Sequence, residues 1–191
     1  MTGTDKDLAG RVAVVTGAGR NIGRAVALAL ADAGTSVVVN GRSNAPAVDG
    51  VVREIEARGG QALAAIADVA DEAAVGRMVA AAAERFGRID VVVNNAAGRP
   101  EQAFEAISLA DWRGVLATVL DGAFLVAKAA LPYLKQSGAG AIVNIGGVSG
   151  HIGTKNRAHV VTAKAGLIGP PGPWRTIWRP TASPSTAWCR A

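Results

Sequence analysis

Short, uninterrupted apolar runs alternate along this chain with longer segments in which apolar residues return every three or four positions. The runs at residues 12–16 (VAVVT), 36–40, 62–67, 89–93 (IDVVV) and 141–145 have the length and β-branched content of strands. Between them the periodicity predicts helices over 21–33, closed by Gly34, and over 48–58, closed by the Gly59-Gly60 pair. A third helix is capped by Asp71, carries Val75, Met78, Val79, Ala82 and Phe86 on one face, and ends at Gly87. A long fourth helix spans about 111–134. Strand and helix alternate strictly through Ile145, the sequence form of repeated βαβ units. The expected fold is therefore α/β, a Rossmann-type doubly wound parallel sheet.

After Gly169 the pattern stops. The last 22 residues hold five of the eight prolines and three of the four tryptophans, with neither period. The expected organisation is one incomplete α/β domain over residues 1–169 and an irregular segment over 170–191.

Composition narrows the function classes. Half of the 191 residues are hydrophobic but only 4% are aromatic, so the apolar content is mostly Ala, Val, Leu and Ile, which suits parallel strands under Ala-rich helices. The net charge of +5 invites nucleic acid or an anionic membrane as partner, but three of those charges are arginines beyond Lys164 in a stretch without acids. No basic stripe with interleaved aromatics marks the body, and no uninterrupted apolar run approaches the ~20 residues of a membrane span. Neither partner is expected. Cys189 stands alone, which excludes an intrachain disulfide and a cysteine metal cluster and fits a reducing, cytoplasmic setting. The polar first eleven residues lack the apolar core of a signal peptide.

The segment Thr16-Gly17-Ala18-Gly19-Arg20-Asn21-Ile22-Gly23 joins the first strand to the first helix. Glycines there let backbone amides approach a pyrophosphate, and a helix N-terminus adds partial positive charge. A glycine-rich turn alone also serves as a tight βα connection; its place between this strand and this helix favours dinucleotide binding. The segment resembles the Thr-Gly-x-x-x-Gly-x-Gly signature of the short-chain dehydrogenase/reductase family, with Asn21 where the middle glycine stands. A short polar residue tolerates unusual backbone angles better than most. Asp68-Val69 after the third strand, where the family contacts adenine, and Asn94-Asn95-Ala96-Ala97-Gly98 after the fourth extend the resemblance, which covers residues 10 to 169.

The resemblance implies a nicotinamide dinucleotide held by Gly17, Gly19, Arg20, Asn21, Ile22, Gly23, Asp68, Val69, Asn95, Ala96 and Lys164, a small-molecule carbonyl or alcohol substrate, and a homo-oligomeric parent. The cofactor's type turns on the end of the second strand, where NAD-specific enzymes place a carboxylate for the ribose hydroxyls. Asn40-Gly41-Arg42 offers no acid and one cation. Arg42, helped by Arg20, suits a 2′-phosphate, so NADP is favoured over NAD; a merely solvated Arg42 is the alternative.

The family's chemistry uses a Tyr as proton donor, a Lys that lowers its pKa, a Ser that orients the substrate oxygen and an Asn that holds a water relay. Lys164 stands in the right context before Ala165-Gly166. The Tyr position, four residues earlier, is then Val160; the Ser position is Gly147; and the Asn position, in Val119-Leu120-Asp121-Gly122-Ala123-Phe124, is Val119. Lys164 alone remains. His159 has the side chain best suited to proton transfer near neutral pH, but helix geometry turns it about 100° from the Tyr position, so a structural or solvent-facing histidine is the competing reading. Catalysis is therefore expected to rest on Lys164, with His159 as the weaker candidate, or to be absent.

The tail has a reading at the level of DNA. Deleting the T of CTC from GGC CTC ACC CGG GCC CTG yields codons for Gly-Pro-Pro-Gly-Pro and then Trp, as found from Gly169. The rest regroups into a frame reading GLTRALAHDLAPDGVTVNCVVPG, which resembles the family's continuation. On this reading the product of a single-base deletion has lost the last strands and the substrate loop, leaving an unpaired sheet edge and a tendency to aggregate.

Overall fold

The computed structural model describes residues 7–168. The segment 170–191 and its shifted-frame reading lie outside the described residues. The five strands are β1 (Val12–Val15), β2 (Ser36–Gly41), β3 (Ala62–Ile66), β4 (Val91–Asn94) and β5 (Ala141–Asn144). They form one sheet in the order β3-β2-β1-β4-β5, and every pairing is parallel. The chain builds outward from β1 to β3, then crosses to the other side of β1. The reversal leaves a crevice between the carboxyl ends of β1 and β4, where open α/β sheets receive ligands.

All four residues of β1 are buried, which is why its run carries no polar alternation. One core layer packs Val12, Val14, Val38 and Val92 beneath α3 (Glu72–Phe86) and α5 (Gly122–Gln136). The opposite layer packs Val15, Val37 and Val39 beneath α1 (Asn21–Asp32) and α2 (Ala45–Ala57). Both layers are apolar to the centre, so the sheet is a rigid floor for whatever its carboxyl ends carry.

Boundaries depart from the sequence reading where a cap or turn decides them. The second helix begins at Ala45 because the Asn44 side chain accepts from Ala47 N and Pro46 occupies the first turn. Residues 89 and 90 precede β4: Ile89 is buried, and Asp90 accepts from Val12 N at 2.9 Å and from Arg88. Asp71 caps α3 and Gly87 closes it in the left-handed conformation, both as expected.

The fourth predicted helix is not one regular element. It starts earlier, at a Ser108/Asp111 capping box, as α4 (Leu109–Leu116), passes through a π-turn at Ala117–Asp121, and continues as α5. A π-turn admits an extra residue and rotates the face that follows. The whole helical run Leu109–Gln136 is long and apolar enough to cross a membrane by length and composition. Here its Val126, Ala130 and Leu134 stripe is buried in the core layer it shares with α3. A short α6 (Ser149–Ile152) and α7 (Ala158–Ile168) complete the described chain, and among the described residues β5 is an open edge of the sheet.

Candidate functional site

At the carboxyl ends of the strands lies a cavity of about 670 Å³. Its walls include Gly17, Gly19, Arg20, Asn21, Ile22 and Gly23 from the glycine-rich turn, Arg42 after β2, Asp68 and Val69 after β3, Asn95 and Ala96 after β4, and Lys164 from α7. Every residue expected to hold a dinucleotide thus faces one space.

The turn is built by hydrogen bonds from its neighbours. Gly17 has φ +62, and a β-carbon on it would stand 2.9 Å from Ala96 Cα. A β-carbon on Gly23 would collide with the Gly17 carbonyl and the Asn95 amide, so the approach of α1 to the turn requires glycine. Asn21 has φ +49, the left-handed conformation its short polar side chain tolerates in place of glycine.

Three side chains hold this geometry. Thr16 Oγ1 accepts from Asn95 N at 2.9 Å and Ala96 N at 3.0 Å, while its hydroxyl donates to Val93 O. Asn95 Nδ2 donates to Thr16 O at 2.9 Å and Gly17 O at 3.1 Å. Asn40, buried at the end of β2, accepts from Gly17 N at Oδ1, donates from Nδ2 to Ala65 O and Ala67 O, and offers its own carbonyl to Ala18 N at 2.7 Å. The amides of Gly17 and Ala18 are consumed inside the protein. Those of Asn21 to Gly23, in the first turn of α1, have no intrahelical acceptor and mark the anion-seeking end of the cavity.

The opposite end is formed by Gly98, Arg99, Thr118, Ile145, Gly146 and Lys164. Lys164 Nζ donates to Ile145 O at 2.5 Å, which ties α7 to the end of β5. Burial, and after it the charge of Arg99, lowers its ammonium from 10.5 to about 8. The side chains of Asn94 and Asn144 are hydrogen-bonded at 2.8 Å across the paired ends of β4 and β5.

Val119 and Val160, at the expected Asn and Tyr positions, are both buried in an apolar cluster with Val115, Ala123, Ala163 and Leu167. Neither lines the cavity. Gly147 is half-buried, and the nearest atom to a β-carbon there would be Ser149 Oγ at 3.7 Å, so its side-chain space is open. His159 is fully buried, with no partner for either ring nitrogen, and it does not line the cavity. The solvent-facing alternative is corrected: the ring is fully buried, and of the two expected catalytic residues only Lys164 lines the cavity.

Sequence reasoning passed over Asn40, Arg99 and Thr118. In the sequence Asn40 marks only the absence of an acid after the second strand. Its role as a latch needs the turn and the end of β3 to be brought beside it. Thr118 reaches the cavity through the π-turn, a shift that the continuous apolar period of 111–134 conceals. Arg99 lies just beyond the Asn94–Gly98 motif and carried no local signal.

A family model described as short chain dehydrogenase matches residues 11–170. The chain belongs to the short chain dehydrogenase family. It is 43% identical over 162 residues to a 3-oxoacyl-[acyl-carrier-protein] reductase of Synechocystis, covering 85% of this chain and 66% of that protein. A Staphylococcus aureus 3-oxoacyl-[acyl-carrier-protein] reductase is 38% identical over 157 residues, covering 82% and 64%. The peroxisomal hydratase-dehydrogenase-epimerase of Neurospora crassa is 41% identical over 167 residues, covering 87% of this chain and 18% of that one. The chain thus spans about two thirds of the length of the two reductases.

Proposed function

We propose that this short chain dehydrogenase binds NADP in the crevice at β1 and β4 and transfers hydride between the nicotinamide and a small carbonyl or alcohol substrate. The observation that carries the reading is the cradle around Gly17 and Gly23, where side chains are excluded, at the start of α1, whose first-turn amides have no intrahelical acceptor. In this proposal Asn21 to Gly23 hold the pyrophosphate and Arg42 with Arg20 takes the 2′-phosphate. Asp68 and Val69 flank the adenine, with Asp68 Oδ1 already accepting from Ala70 N at 3.0 Å, and Lys164 holds the nicotinamide ribose. NAD is the weaker alternative, since no carboxylate follows β2.

When bound, the reduced nicotinamide supplies a hydride to a carbonyl carbon. Lys164 is the proton-bearing group at that end. Held on Ile145 O and lowered to about 8, its ammonium donates a hydrogen bond to the carbonyl oxygen and releases its proton as alkoxide character develops. Solvent returns the proton to the amine. His159 takes no part, because it does not reach the cavity.

Titration with NADPH and NADH, followed by nicotinamide fluorescence, tests the reading. NADPH is expected to bind at least tenfold tighter, and Arg42→Ala to remove most of that preference. Binding of neither cofactor sinks it. Turnover, if Lys164 is the acid, falls as pH rises through about 8; a profile flat to pH 10 rejects that role.

A second reading is favoured by the burial of both Val119 and Val160: a dinucleotide-binding protein without turnover. NADPH binding with no oxidation across a carbonyl panel selects it. The shifted-frame origin of residues 170–191 belongs to the same proposal, and sequencing the coding DNA decides it: a codon string that does not regroup discards it.

A further inference from the structure

The cavity's charges fall into two separate groups. Among the described residues its cations are Arg20, Arg42, Arg99 and Lys164, and its one carboxylate is Asp68. Arg20 and Arg42 belong to the turns after β1 and β2, whereas Arg99 follows β4 and Lys164 is fastened to the end of β5. At about 4.8 Å per strand, β2 and β5 are roughly 14 Å apart, and β3, which Asp68 follows, is roughly 19 Å from β5. Asp68 accepts from Ala70 N through Oδ1 at 3.0 Å and makes no ion pair with either member of the second pair among the described residues.

Nor do nearer acids serve. Glu101, two residues beyond Arg99, is paired with Arg157 at 3.0 Å. Asp111 accepts from Ser108 and Gln102. Arg99 makes no ion pair among the described residues, although its charge is felt at Lys164. Two cations facing one cavity end without an acid between them repel each other until an anion is placed there. The dinucleotide's phosphates lie, on the reading above, at the other group.

We propose that the Lys164 end of the cavity takes a substrate carrying a carboxylate as well as its carbonyl or hydroxyl group, an oxo acid or hydroxy acid, and that Arg99 is the residue that selects it. This inference rests on the dinucleotide reading for its chemistry but not for its binding. The Arg99 guanidinium matches a carboxylate with two parallel N–H donors, and Lys164 Nζ serves the carbonyl oxygen beside it. The corresponding ester loses the charge and leaves the two cations uncompensated, so discrimination comes from repulsion as much as attraction.

The test uses the full chain and a matched pair of probes, acetoacetate and its methyl ester, in thermal-shift titrations with and without NADPH. NADPH affinity is measured in parallel by fluorescence. Acetoacetate is expected to raise the Tm several degrees more than the ester. Arg99→Gln removes that difference while leaving the NADPH dissociation constant within twofold, and Arg99→Lys keeps part of it. Equal shifts from acid and ester overturn the proposal, as do no shift from either and an unchanged difference in Arg99→Gln. A variant that loses NADPH affinity and keeps the acid preference assigns Arg99 to the cofactor and also overturns it. Should wild type show the acid preference and fail to bind NADPH, the dinucleotide reading falls and the anion site stands.

Discussion

The two ends of the cavity are held by different means. At the glycine-rich end, Thr16, Asn40 and Asn95 spend their polar atoms on backbone groups of the turn, and glycines are required where two chain segments meet. At the Lys164 end, valines fill the positions at which the family resemblance expects polar groups, and a histidine is buried with no hydrogen bond. The first end has its shape dictated by hydrogen bonds to its turn, whereas at the second an apolar cluster stands beside the Lys164–Ile145 and Asn94–Asn144 bonds. A polar deletion should therefore be costly at the first and, at the unpartnered His159, favourable.

The sharpest break in that contrast is Thr16→Val. It preserves shape but leaves the Asn95 and Ala96 amides without their acceptor, and a loss of about 3 kcal/mol in denaturant unfolding is expected, with loss of NADPH binding. Less than 1 kcal/mol would mean that the turn is held by something else.

Next in size is Val160→Tyr. Overfilling the cluster of Val115, Val119 and Leu167 should cost about 2 kcal/mol, whereas Gly147→Ser, entering open space, should stay within about 0.5 kcal/mol. Equal costs for both would show that the cluster is not tightly packed.

Lys164 gives a pH signature. Its folded pKa lies below its unfolded value, so between about 8 and 10.5 the unfolded chain holds a proton that the folded chain has released. Stability then rises with pH across that window, by no more than about 1.4 kcal/mol per unit, and is lowest below it. Urea titrations at pH 7.5, 9 and 10 should show the rise in wild type and its absence in Lys164→Met.

The last effect has the opposite sign to the first. His159→Leu removes two unpartnered buried nitrogens and is expected to stabilise by about 1 kcal/mol. A destabilisation of that size would reveal a polar partner for the ring.

The five strands and the α/β class were legible because buried parallel strands leave unbroken apolar runs, and Gly34, Gly87 and Asp71 punctuate the helices between them. The cavity-lining residues of the glycine-rich turn were legible for a related reason: the turn after β1 needs a local string of small residues. The π-turn at Ala117–Asp121 was hidden because an inserted residue leaves an apolar, Ala-rich period looking continuous. The signals for an earlier start of α2 were present in Asn44 and Pro46 but outweighed by the apolar period that begins at Val48. Asn40 is bonded to groups 22 to 27 residues away, and the charge of Arg99 is felt at Lys164, 65 residues on; no local pattern announces such pairings. The mapping of Val119 and Val160 onto catalytic positions came from spacing; their burial in one cluster came only with the fold.

The Asn40 latch bears on the timing of order. Because Gly17 and Ala18 are already bonded to Asn40, and β3 is tied to the same side chain, the glycine-rich turn acquires its shape during folding rather than on ligand arrival. Little conformational entropy is then lost at association, and the cradle behaves as a rigid receptor with fast, single-step capture. Amide exchange at Gly17 and Ala18 should accordingly be as slow in the free protein as in its complex.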